Sequence, residues 1–326
     1  MNSTDDTSDG ITDYYTVCSL SAVFALIAVT LSCMILILVR RTKPRLHTVR
    51  HLLMCNTCIA SSLYCIIQAI NYTFLIFLPW ETSDTGCRWR GFLSYMTLCG
   101  VTYSFLIQAI SRLFICIFAV KYRWLTTFKV HYTLICTQWF FSIFFSLPSI
   151  ITKDIYFRPN ALCWVPLNNK IHVSYTYIAY YILPALCIFI IYIFIYYRFK
   201  KMTNNAEILI GTVNNDKRNL ELLRNIVILL FIYLVGGVPT VLFLLTSYKI
   251  LYLIGIVTIS LTVAIEKLCT ILLDRELRQT TRNLLIRGMR VIPIDNVQIA
   301  RRHENLTHLR RTVIQTLPNN KNILTE

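Results

Sequence analysis

Seven stretches of this sequence are long enough and apolar enough to sit in hydrocarbon rather than water, which constrains the fold more than any motif does. A helix crossing a bilayer takes roughly 20 mainly apolar residues. Windows at about 17–39, 53–78, 91–118, 132–151, 174–197, 225–246 and 250–273 meet that requirement. The windows 132–151, 174–197 and 225–246 are almost free of charge, whereas a helix laid on a water-soluble core would show a polar face. The weakest divide lies between the last two windows, where only Thr246-Ser247-Tyr248-Lys249 interrupts the apolar run. Composition agrees: 56% of residues are hydrophobic and 15% charged, against about 45–50% and about 25% in soluble domains. The expected fold is an all-α membrane protein: a seven-transmembrane helix bundle over 17–273, preceded by an extracellular N-terminal tail (1–16). Residues 274–288 read as a short amphipathic eighth helix, with Leu277, Leu284, Leu285 and Ile286 as apolar anchors. Residues 289–326 read as a disordered basic cytoplasmic tail.

A net charge of +16 would suggest nucleic acid in a soluble chain, so its distribution decides what it means. With the amino terminus outside, 24 of the 32 Lys and Arg fall in the inner loops and tail. Six fall outside: Arg88, Arg90, Lys153, Arg158, Lys170 and Lys249. Arg112 and Lys267 remain, near the inner ends of spans three and seven. Basic residues favour the cytoplasmic side of short loops, so the chain is expected in the plasma membrane as a multi-pass protein with its N-terminus extracellular. Membrane lipid then accounts for the charge, and no nucleic-acid partner is implied. The first 16 residues carry Asp5, Asp6, Asp9 and Asp13 and no basic residue, unlike the start of a cleaved signal peptide. Asn2-Ser3-Thr4 fits a glycosylation acceptor at Asn2.

Of twelve cysteines, nine lie inside apolar windows and read as small buried hydrophobes. Cys18, at the start of span one, is ambiguous. Cys87, just before span three, and Cys163, in the outer loop between spans four and five, both face the oxidising side. A disulfide between them is the economical reading, and it pins that loop across the outer mouth of the bundle. Cys55-Asn56-Thr57-Cys58 has the spacing of a metal or redox pair but sits in a membrane window without a second pair. No metal site and no cofactor are expected.

Seven spans, an outer amino terminus and that cysteine pair resemble a rhodopsin-like (class A) G-protein-coupled receptor over about 17–288. The resemblance rests on ordered landmarks. Arg112, in Ala109-Ile110-Ser111-Arg112-Leu113, stands twenty-five residues after Cys87. Trp139 matches the family's span-four tryptophan. Pro184 and Tyr192 match its span-five landmarks, and Pro239 its span-six proline. Asp274-Arg275-Glu276-Leu277-Arg278 looks like the start of an eighth helix, and Arg45-Leu46-His47-Thr48 like the first inner loop. The resemblance implies contact of Arg112 and Tyr192 with a heterotrimeric G protein.

The departures fall on the switch positions. Ser111 replaces the acid before the arginine and Leu113 the tyrosine after it. Gly236-Gly237-Val238-Pro239 lacks the aromatic residue before the proline. Ser61 stands where the family's span-two aspartate holds sodium, and Glu266-Lys267-Leu268-Cys269-Thr270 replaces the Asn-Pro-x-x-Tyr of span seven. Ser94 stands where amine receptors carry an aspartate, and Ser260 where light receptors carry a lysine. A cationic monoamine and retinal are therefore disfavoured.

Physical reading of the same residues adds expectations. Ionisable groups at membrane depth face protein or water, so Arg112 is a coupling candidate, and without a neighbouring carboxylate it lacks a resting lock. Glu266 and Lys267 point about 100° apart on a helix and need not pair. Ser61 with Glu266 is therefore a candidate ion or polar core site, the bland alternative being that both charges are wet beyond the span's end. Pro184 and Pro239 each remove a helix hydrogen bond, and Gly236-Gly237 loosens the second kink, making span six a hinge. The same glycines also suit close packing. Ser94, Tyr95, Gln68, Tyr177 and Tyr181 are pocket candidates for an extracellular ligand, peptide-like or a small molecule. The basic outer residues mildly favour an anionic one. No acid–base cluster or phosphate loop suggests an enzyme. The competing readings are a receptor-fold binding or decoy protein without coupling and, further off, a transporter or channel.

Overall fold

The computed structural model describes residues 5–42, 48–77, 83–118, 122–158, 162–166, 169–205, 228–229, 231–232, 234–243, 245–246 and 248–289. Every regular element among them is helical. The helices are α1 (Asp5–Arg41), α2 (Val49–Phe77), α3 (Asp84–Leu113), α4 (Phe128–Ser146), α5 (Pro148–Ile151), α6 (Lys170–Tyr177), α7 (Leu183–Asn205), α8 (Leu234–Phe243), α9 (Lys249–Leu273) and α10 (Arg275–Met289). A π-helical turn, Phe114–Phe118, continues α3, and another, Ile178–Ile182, joins α6 to α7 into one span. Residues 1–278 form one compact unit and 279–326 a second.

Among the described residues six helices are long and apolar enough to cross a membrane. The sixth predicted window contributes the apolar helix α8, the rest of that window lying partly outside the described residues. The first helix starts at Asp5, so the acidic segment expected as a tail continues the span as helix. Asn2, Arg45 to His47, most of the third inner loop and the predicted tail from 290 lie outside the described residues.

The distribution of side chains is that of a protein in hydrocarbon. Large apolar groups face outward, with Leu26, Phe140, Phe144, Phe189 and Ile190 each more than half exposed. A water-soluble surface rarely tolerates such patches. Polar groups are turned inward instead: Asn56, Gln68, His131, Gln138, Glu266 and Lys267 are all buried. The chain is a multi-pass membrane protein.

Small residues let the spans approach: Ala25, Ala28, Ala60, Ala109 and Ala264 sit in the central cluster with Val101, Ile188 and Ile195. Buried amides then fix the rotation of spans two, three and four. Asn56 Nδ2 donates to Gln138 Oε1 (2.6 Å), Gln138 Nε2 to the Gly100 carbonyl (2.8 Å) and Trp139 Nε1 to Asn56 Oδ1 (3.1 Å). Trp139, the span-four landmark, thus works as a donor in a closed network. Gln108 Nε2 reaches Thr57 Oγ1 at 2.6 Å.

Helix ends follow local rules. Ser83 caps α3 by accepting from the Gly86 N–H at 3.1 Å. Asp274 ends α9 and caps α10, its Oδ1 accepting from the N–H groups of Glu276 (3.0 Å) and Leu277 (3.2 Å). Its other oxygen pairs with Arg50 at 3.0 Å, tying the start of α2 to the α9–α10 corner. Leu277, predicted as an anchor, is fully buried.

Candidate functional site

Two cavities lie in the bundle, one beside the disulfide and one beside Arg112. Cys87 and Cys163 are bonded, with Cα atoms 5.1 Å apart. The bond carries residues 162–166 onto the helix ends, where two further ties hold them. Val165 N–H donates to Tyr95 Oη (3.1 Å), and Arg158 donates to the Trp164 carbonyl (3.0 Å). Beneath this loop is a cavity of about 120 Å³ open to the centres of water-sized molecules. Trp164 and Val165 line it from the loop, and Gln68, Tyr64, Ser94 and Tyr95 from spans two and three. Tyr177, Tyr180 and Tyr181 line it from span five, Gly236, Gly237 and Thr240 from span six, and Tyr252, Ile259 and Thr262 from span seven.

All five pocket candidates read from the sequence therefore line one cavity. Trp164, Tyr64, Thr240 and Tyr252 also line it and were not anticipated. Trp164 neighbours Cys163, which was the available signal. The π-turn at Ile178–Ile182 is what brings Tyr177, Tyr180 and Tyr181 to the same cavity, because an extra residue per turn re-phases the helix face. Tyr103 and Tyr175 face elsewhere, donating to the Ala179 carbonyl (3.1 Å) and the Phe145 carbonyl (3.0 Å). The first of these bonds is informative. Pro184 has no N–H to give the carbonyl five residues back, and the Tyr103 hydroxyl takes that place.

Among the described residues lining this cavity, none is charged. The basic outer residues that favoured an anionic partner are thus not among those lining it. Arg90 packs its guanidinium over the Phe74 ring at 4.0 Å and reaches Cys163 Sγ at 3.7 Å, and Arg158 is engaged by the loop carbonyl. Ser94, at the amine-receptor position, accepts from Asn71 Nδ2 (2.7 Å) and donates to the Arg90 carbonyl (2.9 Å).

The Gly236-Gly237 pair is in close packing. A Cβ on Gly236 would run into Thr262, and one on Gly237 would lie 2.7 Å from the Tyr181 ring. Around Pro239, two carbonyls of the preceding turn are held from neighbouring spans. The Tyr181 hydroxyl donates to the Leu234 carbonyl, and Thr258 Oγ1 to the Gly236 carbonyl at 3.0 Å.

The second cavity, about 50 Å³, is lined by Arg50, Gln108, Arg112, Glu266, Lys267 and Asp274 among others. Arg112 makes no ion pair among the described residues, and Tyr192, the other predicted coupling residue, is buried in the central cluster. Ser111, in place of the acid, turns to span four. His131 Nδ1 lies 2.8 Å from the Thr127 carbonyl and must donate to it, and His131 Nε2 and Ser111 Oγ share a hydrogen bond at 2.9 Å.

Glu266 and Lys267 are both buried, which fits the interior placement rather than the alternative beyond the span's end, and they bond each other at 2.7 Å, a pairing the helix spacing did not require. Their Cβ directions diverge, but the four-carbon lysine stem reaches back, and a buried ammonium left alone is expensive. Ser61 is fully buried with its hydroxyl unpartnered, and it does not line the cavity that Glu266 lines. Glu266 is therefore occupied by an internal cation.

No curated protein matches this sequence. Residues 26–275 match the family described as Serpentine type 7TM GPCR chemoreceptor Srsx. That stretch covers most of the chain and holds both cavities, the disulfide and Arg112, and the chain belongs to this family of seven-helix, G-protein-coupled-type receptors.

Proposed function

We propose that the chain is a plasma-membrane receptor that binds an extracellular small molecule under the disulfide-tied loop and relays it to a heterotrimeric G protein at Arg112. The observation that carries this is that span six lines both cavities of the bundle, the first through Gly236, Gly237 and Thr240 and the second through Leu229. Gly236 and Gly237 wall the first cavity, two to three residues before Pro239. Occupation there bears directly on the segment whose inner half would swing outward. The surplus of basic residues on one side supports an extracellular N-terminus, and the ordered landmarks support a rhodopsin-like arrangement. A roofed cavity of this size supports a small molecule over a peptide.

Ser111 stands beside Arg112 where the family carries an acid and turns to His131 instead, so a restraint from that neighbouring position is missing. A restraint of about 1–2 kcal/mol shifts a two-state balance about tenfold, so basal signalling is raised. The test is nucleotide exchange on purified G protein added to membranes carrying the chain or its Arg112→Ala variant at equal folded amounts. The wild type exceeds mock membranes and Arg112→Ala falls to the mock level. Equality of all three would favour a binding or decoy protein, and ion flux in liposomes would favour a transporter.

A further inference from the structure

Within the receptor reading above, on which this inference rests, the cavity under the loop defines the ligand's chemistry. We infer that it takes a small neutral molecule of about one aromatic ring, carrying a hydroxyl or N–H that donates to Gln68 Oε1.

Size comes first. The cavity measures about 120 Å³, and an apolar cavity of about 150 Å³ holds one benzene. Charge comes second. No lining residue among those described is ionised at neutral pH, and a charge brought into such a site without a partner is strongly disfavoured. The lining is aromatic and aliphatic, which suits a flat apolar body.

Polarity is decided by which lining groups are already engaged. Tyr95 Oη accepts from the loop, Tyr181 Oη donates to a span-six carbonyl, and the Ser94 hydroxyl both accepts and donates within the protein. Gln68 is different. It is 1% exposed, it lines the cavity, and its Oε1 has no partner. A buried carbonyl oxygen without a donor is a standing deficit that a ligand O–H or N–H removes. Trp164 Nε1, also buried and without a partner on the opposite, loop side, offers a donor in return. A ligand hydroxyl or amide within reach of either group answers it; a hydrocarbon answers neither.

The probes are para-cresol, toluene and para-toluate, matched in shape and differing in donor and charge, with 2-naphthol as the larger ring. Binding is read as the thermal shift of the purified full chain in one detergent at fixed concentration, and Gln68→Leu removes the acceptor. Wild type is stabilised by para-cresol at concentrations ten- to a hundredfold below those needed for toluene, as expected for pairing one buried polar group. Para-toluate has no effect, and 2-naphthol is weaker. In Gln68→Leu the order of para-cresol and toluene reverses. Should Gln68→Leu not fold, Trp164→Phe serves, narrowing the para-cresol preference.

A stabilising effect of para-toluate equal to that of para-cresol would overturn the inference. So would a cresol preference unchanged in both variants, or tighter binding of 2-naphthol. Nucleotide exchange is measured in parallel. A cresol shift with the predicted reversal but no change in exchange would sink the signalling reading while upholding the ligand class.

Discussion

Removing the lysine of the buried pair gives a sharp test of how span seven is held. Lys267 is 1% exposed, Glu266 is 4% exposed, and they meet at 2.7 Å. Lys267→Met keeps much of the stem volume and deletes the ammonium, leaving a carboxylate in the bundle. Breaking one side of a buried pair costs about 3–5 kcal/mol, whereas replacing both sides with neutral groups is close to neutral. At roughly 2 °C per kcal/mol for a chain of this size, the midpoint of thermal unfolding in detergent drops by about 6–10 °C for Lys267→Met. It drops by less than about 2 °C for Glu266→Gln with Lys267→Met together. The double-mutant cycle therefore shows a large coupling of stabilising sign. A single variant within about 2 °C of the wild type would refute the reasoning, since it would mean that water reaches the carboxylate. A double variant as unstable as the single would refute it too.

Asn56→Leu strands the Gln138 Oε1 and Trp139 Nε1 partners in the bundle; at about 1–3 kcal/mol for each stranded group, the thermal midpoint falls by several degrees. Gly237→Ala drives a methyl against the Tyr181 ring and costs about 1–3 kcal/mol of overpacking, offset by up to about 1 kcal/mol of helix propensity; in a Tyr181→Ala background the same change is neutral or stabilising. At the disulfide end, His172 Nδ1 sits 2.7 Å from Asp154 Oδ2. The hydrogen bond from His172, then that of Thr152, holds the Asp154 carboxyl below the usual carboxylate range. Its contribution is therefore complete above the unfolded value of about 3.9 and is lost as pH falls through the lower folded value. Hydrogen exchange over 152–172 accelerates in wild type in that acid window, whereas Asp154→Asn shows the faster exchange already at neutral pH and no acid step.

The spans were legible because hydrocarbon demands length and apolarity, and both are one-dimensional properties of a sequence. The cysteine pair was legible because only two positions faced an oxidising space between spans. Which faces meet was not. Hydropathy leaves the rotation of a helix free when its surroundings are apolar on all sides, so the Asn56–Gln138–Trp139 network and the turn of Ser111 toward His131 had no signal in the pattern. The start of α1 at Asp5 was missed because charge marks where lipid ends and not where helix ends. The pairing of Glu266 with Lys267 was missed for a different reason: angular spacing on a helix describes Cβ directions, and a lysine reaches well beyond its Cβ. In the cavity, five residues were found from their position and polarity, while Trp164 and Tyr252 come from segments whose approach depends on the loop and on span seven.

In span six the turn before Pro239 is held from two neighbouring spans, by Tyr181 at the Leu234 carbonyl and by Thr258 at the Gly236 carbonyl. Interhelical bonds of this kind average about 0.6 kcal/mol. Two of them together favour the held position of this turn by only about sevenfold, since 1.4 kcal/mol is a factor of ten. A helix tethered so lightly is easily displaced: even weak occupation of the adjoining cavity is enough to redistribute its positions.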